Sequence, residues 1–535
     1  MRVLLISYRW PAQVGPSGPG LTRRLEEALT RYYPDRIRLA SAYMDMAEAG
    51  SSVEPGKEGS APAARTGTGV RFEQDGILYY PLRTDLGAGS GTACWEESKK
   101  LLLDVVEDFR PDLVQCFGTE WPYGAIAENL SVPVLIHMMG FLNIYYDSLD
   151  MVRGYSRGLD REPGSPPAGA ENRPGGGTPG RSAGILRRAK EIPMLRAGFR
   201  GLRTGFRALG TGIQAKMEGK MDGRSCWPGS AGEQQAGGQD STGMIRMGGK
   251  SLRPEEVYAA FERRVMKANR YFMGRTAWDR NIVRYYADDA VYFHVPELMK
   301  PGILEAAGRW RYKNTGKLRL LTISSADDRK GNEIILRTGR LLKDLIGLDF
   351  CWRVAGAREF FPFFENRTGI RCADARVELL GPIGQDQIVR ELVEADLFIH
   401  PSIMDNSPNS VCEAQLVGCP VIASNVGGTP QIVEDGKTGF LYPYNEPHTL
   451  AFLIAGLYGK EALLTDLSRR ETAMAAERHD PAKIADLQVR VYEEILEDYE
   501  KKKQGGKSAA SDPRRNKERQ GDRDQADLEA DPLHS

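Results

Sequence analysis

Two acids and a glycine pair have the spacing most suggestive of chemistry. Asp405 and Glu413 stand with seven residues between them, around Asn406-Ser407-Pro408-Asn409-Ser410-Val411, and Gly427-Gly428 follow. Ser, Asn and Pro favour a helix start, so the two acids straddle a helix N-terminus. Carboxylates accept hydrogen bonds from sugar hydroxyls. The free N–H groups and positive dipole end of a helix suit a diphosphate, and two glycines let backbone approach the same phosphates. The pattern points to a nucleotide or sugar phosphate. An ordinary strand–helix–strand unit with solvated acids is the alternative that spacing leaves open.

The flanking elements place this group. Leu397-Phe398-Ile399 reads as a buried strand, Gly418 as the end of the helix, and Pro420-Val421-Ile422-Ala423 as the next strand. Upstream, Leu318–Ser324 is a strand followed by Asp327-Asp328-Arg329-Lys330-Gly331, where a lysine beside a leaving diphosphate would offset developing charge. Strands are expected at 350–356 and 376–381, and helices at 332–345, 386–394, 448–458 and 481–501. The first half opens the same way. Arg2–Tyr8 is a short apolar strand, Gly15-Pro16-Ser17-Gly18-Pro19-Gly20 a glycine loop and Leu21–Tyr32 a helix. The loop is not GxGxxG, so the dinucleotide fingerprint is missing. Gly15 and Gly18 fit either a diphosphate or a plain tight turn. His137 ends the strand Val132–His137, where ligands of open α/β sheets bind, although a lone histidine is more often structural. Arg275, in Gly274-Arg275-Thr276, can pair an anion or hold a loop.

The chain has 535 residues, with 72 Lys plus Arg against 72 Asp plus Glu, so no global field points to nucleic acid. Its seven cysteines are scattered without metal-ligand spacing, which suits a reduced, cytoplasmic protein and implies no metal. No apolar run is long enough for a transmembrane helix, and the start lacks the features of a signal peptide. Residues 44–70 read as a loose loop. The expected organisation is α/β, with two Rossmann-like domains facing across a cleft. Residues 1–295 form the first half, with a low-complexity Gly/Pro/Ser/Arg insert at about 155–251. Residues 296–480 form the second, 481–501 a helix packing back toward the first, and 502–535 a disordered charged tail. Within the insert, 187–220 places Phe199, Leu202, Phe206 and Leu209 beside arginines at helical spacing. Such a helix can lie on an anionic membrane, at the inner face of the plasma membrane.

These residues carry a resemblance. Asp405–Ala414, Gly418-Cys419-Pro420-Val421-Ile422-Ala423, Val426-Gly427-Gly428 and Gly436–Pro443 match the acid-x7-acid signature and Gly-Gly loop of retaining GT-B fold glycosyltransferases. The chain resembles the large group 1 family (family 4), nearest its bacterial polysaccharide-type members, over roughly 1–150 and 255–500. The resemblance implies transfer of a sugar from a nucleotide-sugar donor to a saccharide or lipid-linked acceptor, with no cofactor or metal. It implies that Glu413 binds the donor ribose, Asp405 contacts the transferred sugar, and Lys330 neutralises the diphosphate. Backbone near Asn409, Ser410, Val411, Gly427 and Gly428 would meet diphosphate and sugar, Gly15 and Gly18 would flank the phosphate, and His137 would touch the donor sugar.

Two positions depart from the family pattern. The first acid is usually Glu, one methylene longer than Asp405, and Ser325 stands where the family often carries Arg, leaving Arg329 or another base to supply charge. A catalytically degenerate sugar-nucleotide-binding homologue and a nucleotide-dependent oxidoreductase are the alternative readings; the second would need the missing GxGxxG.

Overall fold

The computed structural model describes residues 1–7, 20–44, 71–82, 92–119, 122–140, 245–247, 250–252, 254–325, 328–356 and 358–510. Gly15, Gly18, the loop 45–70 and the basic segment 187–220 lie outside the described residues, as does the chain beyond Ala510.

Apolar runs buried on both faces produce parallel sheets. The first sheet contains β1 (Arg2–Ser7), β2 (Arg38–Met44), β3 (Phe72–Gln74), β4 (Ile77–Leu82), β5 (Leu113–Phe117) and β6 (Val134–His137). A small antiparallel hairpin, β7 (Ile245–Met247) with β8 (Lys250–Leu252), stands apart. Its first strand and most of its second fall inside the stretch expected to be low-complexity insert. β9 (Tyr271–Gly274) and β10 (Val291–His294) complete the first sheet, whose order is β10-β9-β6-β5-β1-β2-β4-β3. Every pairing is parallel except β3 with β4.

The second sheet holds β11 (Leu318–Ser324), β12 (Phe350–Gly356), β13 (Val377–Gly381), β14 (Leu397–His400), β15 (Val421–Ser424) and β16 (Phe440–Tyr442). Its order, β13-β12-β11-β14-β15-β16, reverses direction between β11 and β14. In such sheets the crevice at the reversal, beyond the strands' carboxyl ends, is where ligands bind. One core cluster packs the second sheet, centred on Trp352, Phe398 and Ile422. Two others cover opposite faces of the first.

The chain crosses between the sheets twice, and the crossings touch. After β10 it runs through Glu297 and Lys300 into a short helix, Pro301–Glu305, and on to β11. It returns at His479, whose Nδ1–H donates to the Glu297 carbonyl at 2.8 Å. The helix Pro481–Ala510 then lies on the first sheet, where Ile484, Val489, Tyr492 and Ile495 are buried in one cluster with Val3, Leu25 and Tyr271. This helix passes the expected end at Lys501. The tail's lysines and alanines are good helix formers, and pairs such as Glu497–Lys501 support the exposed turns.

Candidate functional site

Lys330 and Asp405 meet at the reversal point of the second sheet. Lys330 Nζ stands 2.6 Å from Asp405 Oδ2, and His400 Nε2 lies 3.4 Å from the same oxygen. Burial works against charge on Asp405, but the Lys330 ammonium and the His400 imidazole outweigh it and hold the carboxyl well below the usual range. Local backbone fixes the pair. Gly331, at φ +68°, follows Lys330 where a Cβ would collide with the Pro401 carbonyl, so the turn demands glycine. Ile403 N donates to Arg329 O at 2.6 Å, joining the two loops. Ser325 is exposed.

The helix Asn409–Val417 begins beside this pair. The backbone N–H groups of Asn409 and Ser410 have no hydrogen-bond partner among the described residues. Val411 differs from expectation, because its N–H donates to Pro408 O at 3.0 Å. The chain tightens at the cap, so one of the three expected anion donors is already engaged. Gly427 keeps its N–H free among the described residues, whereas Gly428 N donates to Asp405 O at 3.0 Å. Gly427, at φ +54°, packs where a Cβ would strike that same carbonyl.

Glu413 is 3% exposed. Its Oε1 accepts from Lys300 Nζ at 2.8 Å, and Oε2 has no hydrogen-bond partner among the described residues. Beneath it lies an ion network that local sequence did not suggest. Glu297 Oε1 accepts from Arg24 at 2.9 Å and from Asn409 Nδ2 at 2.9 Å, while Glu297 Oε2 pairs with Arg275. Burial pulls the Arg24 guanidinium down to about 10 against the attraction of Glu413, so it stays charged at neutral pH. Arg24, Arg275 and Lys300 thus outnumber Glu297 and Glu413 by one cation, an excess suited to an anionic ligand. Of the two roles open to Arg275, these contacts favour holding structure, since its guanidinium also donates to Met139 O at 3.3 Å.

The turn after β9 touches the second half directly. Thr276 Oγ1 donates to Asn406 Oδ1 at 2.6 Å, and Asn406 Nδ2 donates to Asp279 Oδ2 at 3.0 Å. Ala277 N donates to Gln431 Oε1, and Gly428 lies where a Cβ would meet the Thr276 side chain. His137 ends β6 and is buried, its Nδ1 3.3 Å from Gln115 Nε2. It stays on the first half, paired in register with Met273 of β9 and close enough to Arg275 to feel its charge. Among the described residues, no group of three or more His, Cys, Asp or Glu side chains gathers as metal ligands would.

A family model described as Glycosyl transferases group 1 matches residues 317–460, which hold all the strands of the second sheet and the helices between them. The chain carries a group 1 glycosyltransferase domain. Among curated relatives of this domain, the amylovoran biosynthesis glycosyltransferase AmsK of Erwinia amylovora is 31% identical over 153 residues, 27% of this chain and 37% of that protein. A D-inositol 3-phosphate glycosyltransferase of Streptomyces scabiei is 37% identical over 95 residues, 18% of this chain and 20% of that protein. The chain therefore matches little more than a third of the length of the first relative and a fifth of the second. Solved structures extend the likeness to both sheets. Sucrose-phosphate synthase from Thermosynechococcus elongatus superposes with a TM-score of 0.55 at 13% identity, over 92% of this chain and 99% of that one. The Anabaena protein HepE, in complex with UDP-glucose, gives 0.50 at 12% identity over 92% and 99%. At these identities the likeness is one of fold, and the fold is GT-B, as the sequence resemblance implied.

Proposed function

We propose that this protein transfers a sugar from a nucleotide-sugar donor to a hydroxyl of a saccharide or lipid-linked acceptor, with retention of anomeric configuration. The observation that carries the reading is the Lys330–Asp405 pair beside the open N-terminus of the Asn409–Val417 helix, at the reversal point of a group 1 domain. Donor diphosphate would draw Lys330 from Asp405 and take the free N–H groups of Asn409, Ser410 and Gly427. The ribose hydroxyls would donate to the open oxygen of Glu413. Asp405, released from Lys330, would accept from the sugar, and His137 would face it from the first half. The bond between the anomeric carbon and the diphosphate oxygen breaks as the acceptor oxygen bonds to the same face. The acceptor proton passes to the leaving diphosphate, whose charge Lys330 stabilises.

The relatives' names, amylovoran and colanic acid biosynthesis among them, support an acceptor in polysaccharide or glycoconjugate synthesis. The test is hydrolysis and binding of a panel of UDP-, GDP- and ADP-sugars, read by mass spectrometry. One donor should bind and turn over slowly without acceptor. Glu413→Ala should weaken it roughly 10- to 100-fold, the worth of a hydrogen bond to a charged group. If no sugar nucleotide binds, or Glu413→Ala leaves binding unchanged, the reading is wrong.

A further inference from the structure

The histidine at the end of β6 is reached by a chain of buried polar groups that begins on the last helix. Tyr492 is fully buried, and its hydroxyl lies 2.6 Å from Gln115 Oε1 on β5. Gln488 Nε2, one turn earlier on the same helix, lies 3.4 Å from that oxygen. Gln115 is itself fully buried, and its Nε2 faces His137 Nδ1 at 3.3 Å. Gln115 is the one hydrogen-bond partner of the Tyr492 hydroxyl among the described residues.

That sequence of contacts has one consistent set of protons. A buried hydroxyl must donate somewhere, so the Tyr492 O–H donates to Gln115, and the accepting atom is the amide oxygen. The amide NH2 therefore points at His137. An NH2 group can only donate, so Nδ1 must present its lone pair. We propose that Gln115, held by Tyr492 and Gln488, is a positioning residue that fixes His137 as the neutral tautomer carrying its proton on Nε2. Nε2 has no hydrogen-bond partner among the described residues, so its N–H is available to a ligand beyond the strand ends. His137 then acts as a hydrogen-bond donor, suited to a sugar hydroxyl or phosphate oxygen, and neither as a base nor as a cation. Burial, with Arg275 nearby, pushes the imidazole down to about 3, which keeps it neutral at physiological pH. That the ligand is a donor sugar rests on the transferase reading; the tautomer does not.

The geometry also separates His137 from the histidine at the return crossing. His479 donates from Nδ1 to the Glu297 carbonyl and accepts at Nε2 from Arg478 at 3.0 Å. It is the opposite tautomer with both nitrogens engaged, and it serves as an internal standard.

The experiment is long-range 1H–15N correlation of the full chain labelled with 15N-histidine, with resonances assigned by His137→Asn and His479→Asn. At pH 7 His137 should show the Nε2–H pattern and His479 the Nδ1–H pattern. An Nδ1–H or doubly protonated His137 in the unaltered protein would overturn the proposal. Gln115→Glu places an acceptor opposite Nδ1 and should move the proton there. Tyr492→Phe frees the amide to turn over and should give a mixture of tautomers. An unchanged Nε2–H spectrum in both variants would equally overturn it. Slow donor hydrolysis should fall at least tenfold in kcat for folded Gln115→Glu, with a smaller change in KM, since a lone pair replaces the donated proton. If the unaltered chain turns over no sugar nucleotide, the transferase reading fails, while the spectrum still decides the tautomer.

Discussion

Replacing Thr276 by valine removes one hydroxyl and keeps the side chain's shape. In the structure that hydroxyl has two roles. It donates to Asn406 Oδ1 across the two sheets at 2.6 Å, and it accepts from Asp279 N at 3.3 Å as the cap of the helix Ala277–Tyr286. Loss of such a cap costs about 1 kcal/mol. Asn406 is only 1% exposed, so its oxygen would be left buried without this donor, at a further cost of about 1–3 kcal/mol. For cooperative units of about 150–250 residues, each kcal/mol lowers Tm by roughly 2–4 °C. Thr276→Val should therefore lower the first transition seen by calorimetry by roughly 4–16 °C. Thr276→Ser keeps both hydrogen bonds and should shift it by less than about 2 °C. Asn406→Ala, made alone and with Thr276→Val, separates the roles, since the cap is lost in either background and the bridge only once. The cycle should show a coupling of about 1–2 kcal/mol. A Thr276→Val protein that melts within about 2 °C of the parent, or two substitutions that simply add, would show that this bridge does not hold the halves together.

Two further outcomes follow from charge and burial. Lys330→Met should reduce donor turnover by about 100- to 1000-fold, the cost of losing one electrostatic contact to a leaving group; a rate within threefold of the parent would remove Lys330 from the proposed chemistry. Glu26 is fully buried against the Tyr79 hydroxyl, and burial pushes its carboxyl from 4.5 up to about 7. An acid raised in the folded state holds its proton there while the unfolded chain has lost it. Its contribution is therefore fully present below about pH 4.5 and lost as pH rises through 7, about 3 kcal/mol in all. Glu26→Gln should flatten that fall and melt higher than the parent at pH 8. Melts at pH 5 and pH 8 check this, and an unchanged difference between the two would refute it.

Strands β11 to β15 of the second sheet were readable because they are mainly apolar runs followed by glycine or a polar loop, whereas the three-residue β16 was not expected. The capped helix after Asp405 was readable for the same local reason. What failed to show locally was either interrupted or distant. The helix Glu461–Arg478 was not expected, because its buried face mixes Leu464 and Leu467 with Ser468 and Glu471, which blurs the apolar period. β2, bounded by arginine and rich in small residues, was likewise missed. Arg24, Glu297 and Lys300 carry no motif, and only the fold brings them to Asn409 and Glu413. Thr276 and Asn406 are 130 positions apart. That the Val411 N–H turns to Pro408 did not show in the sequence, because cap geometry, which decides where an N–H points, is not written in residue type.

The return of the last helix to the first sheet has a consequence for how the protein is made. Val3, Leu25 and Tyr271 share their core with Ile484, Val489, Tyr492 and Ile495, so the part of that face of the first sheet not covered by the helix Leu21–Tyr32 stays bare until residues far downstream leave the ribosome. At roughly 5–20 residues per second, about 200 residues beyond β10 represent some tens of seconds of synthesis. The second sheet has all its own strands in one continuous stretch, so it can close first. During that interval the early half carries apolar surface that the helix Pro481–Ala510 later covers.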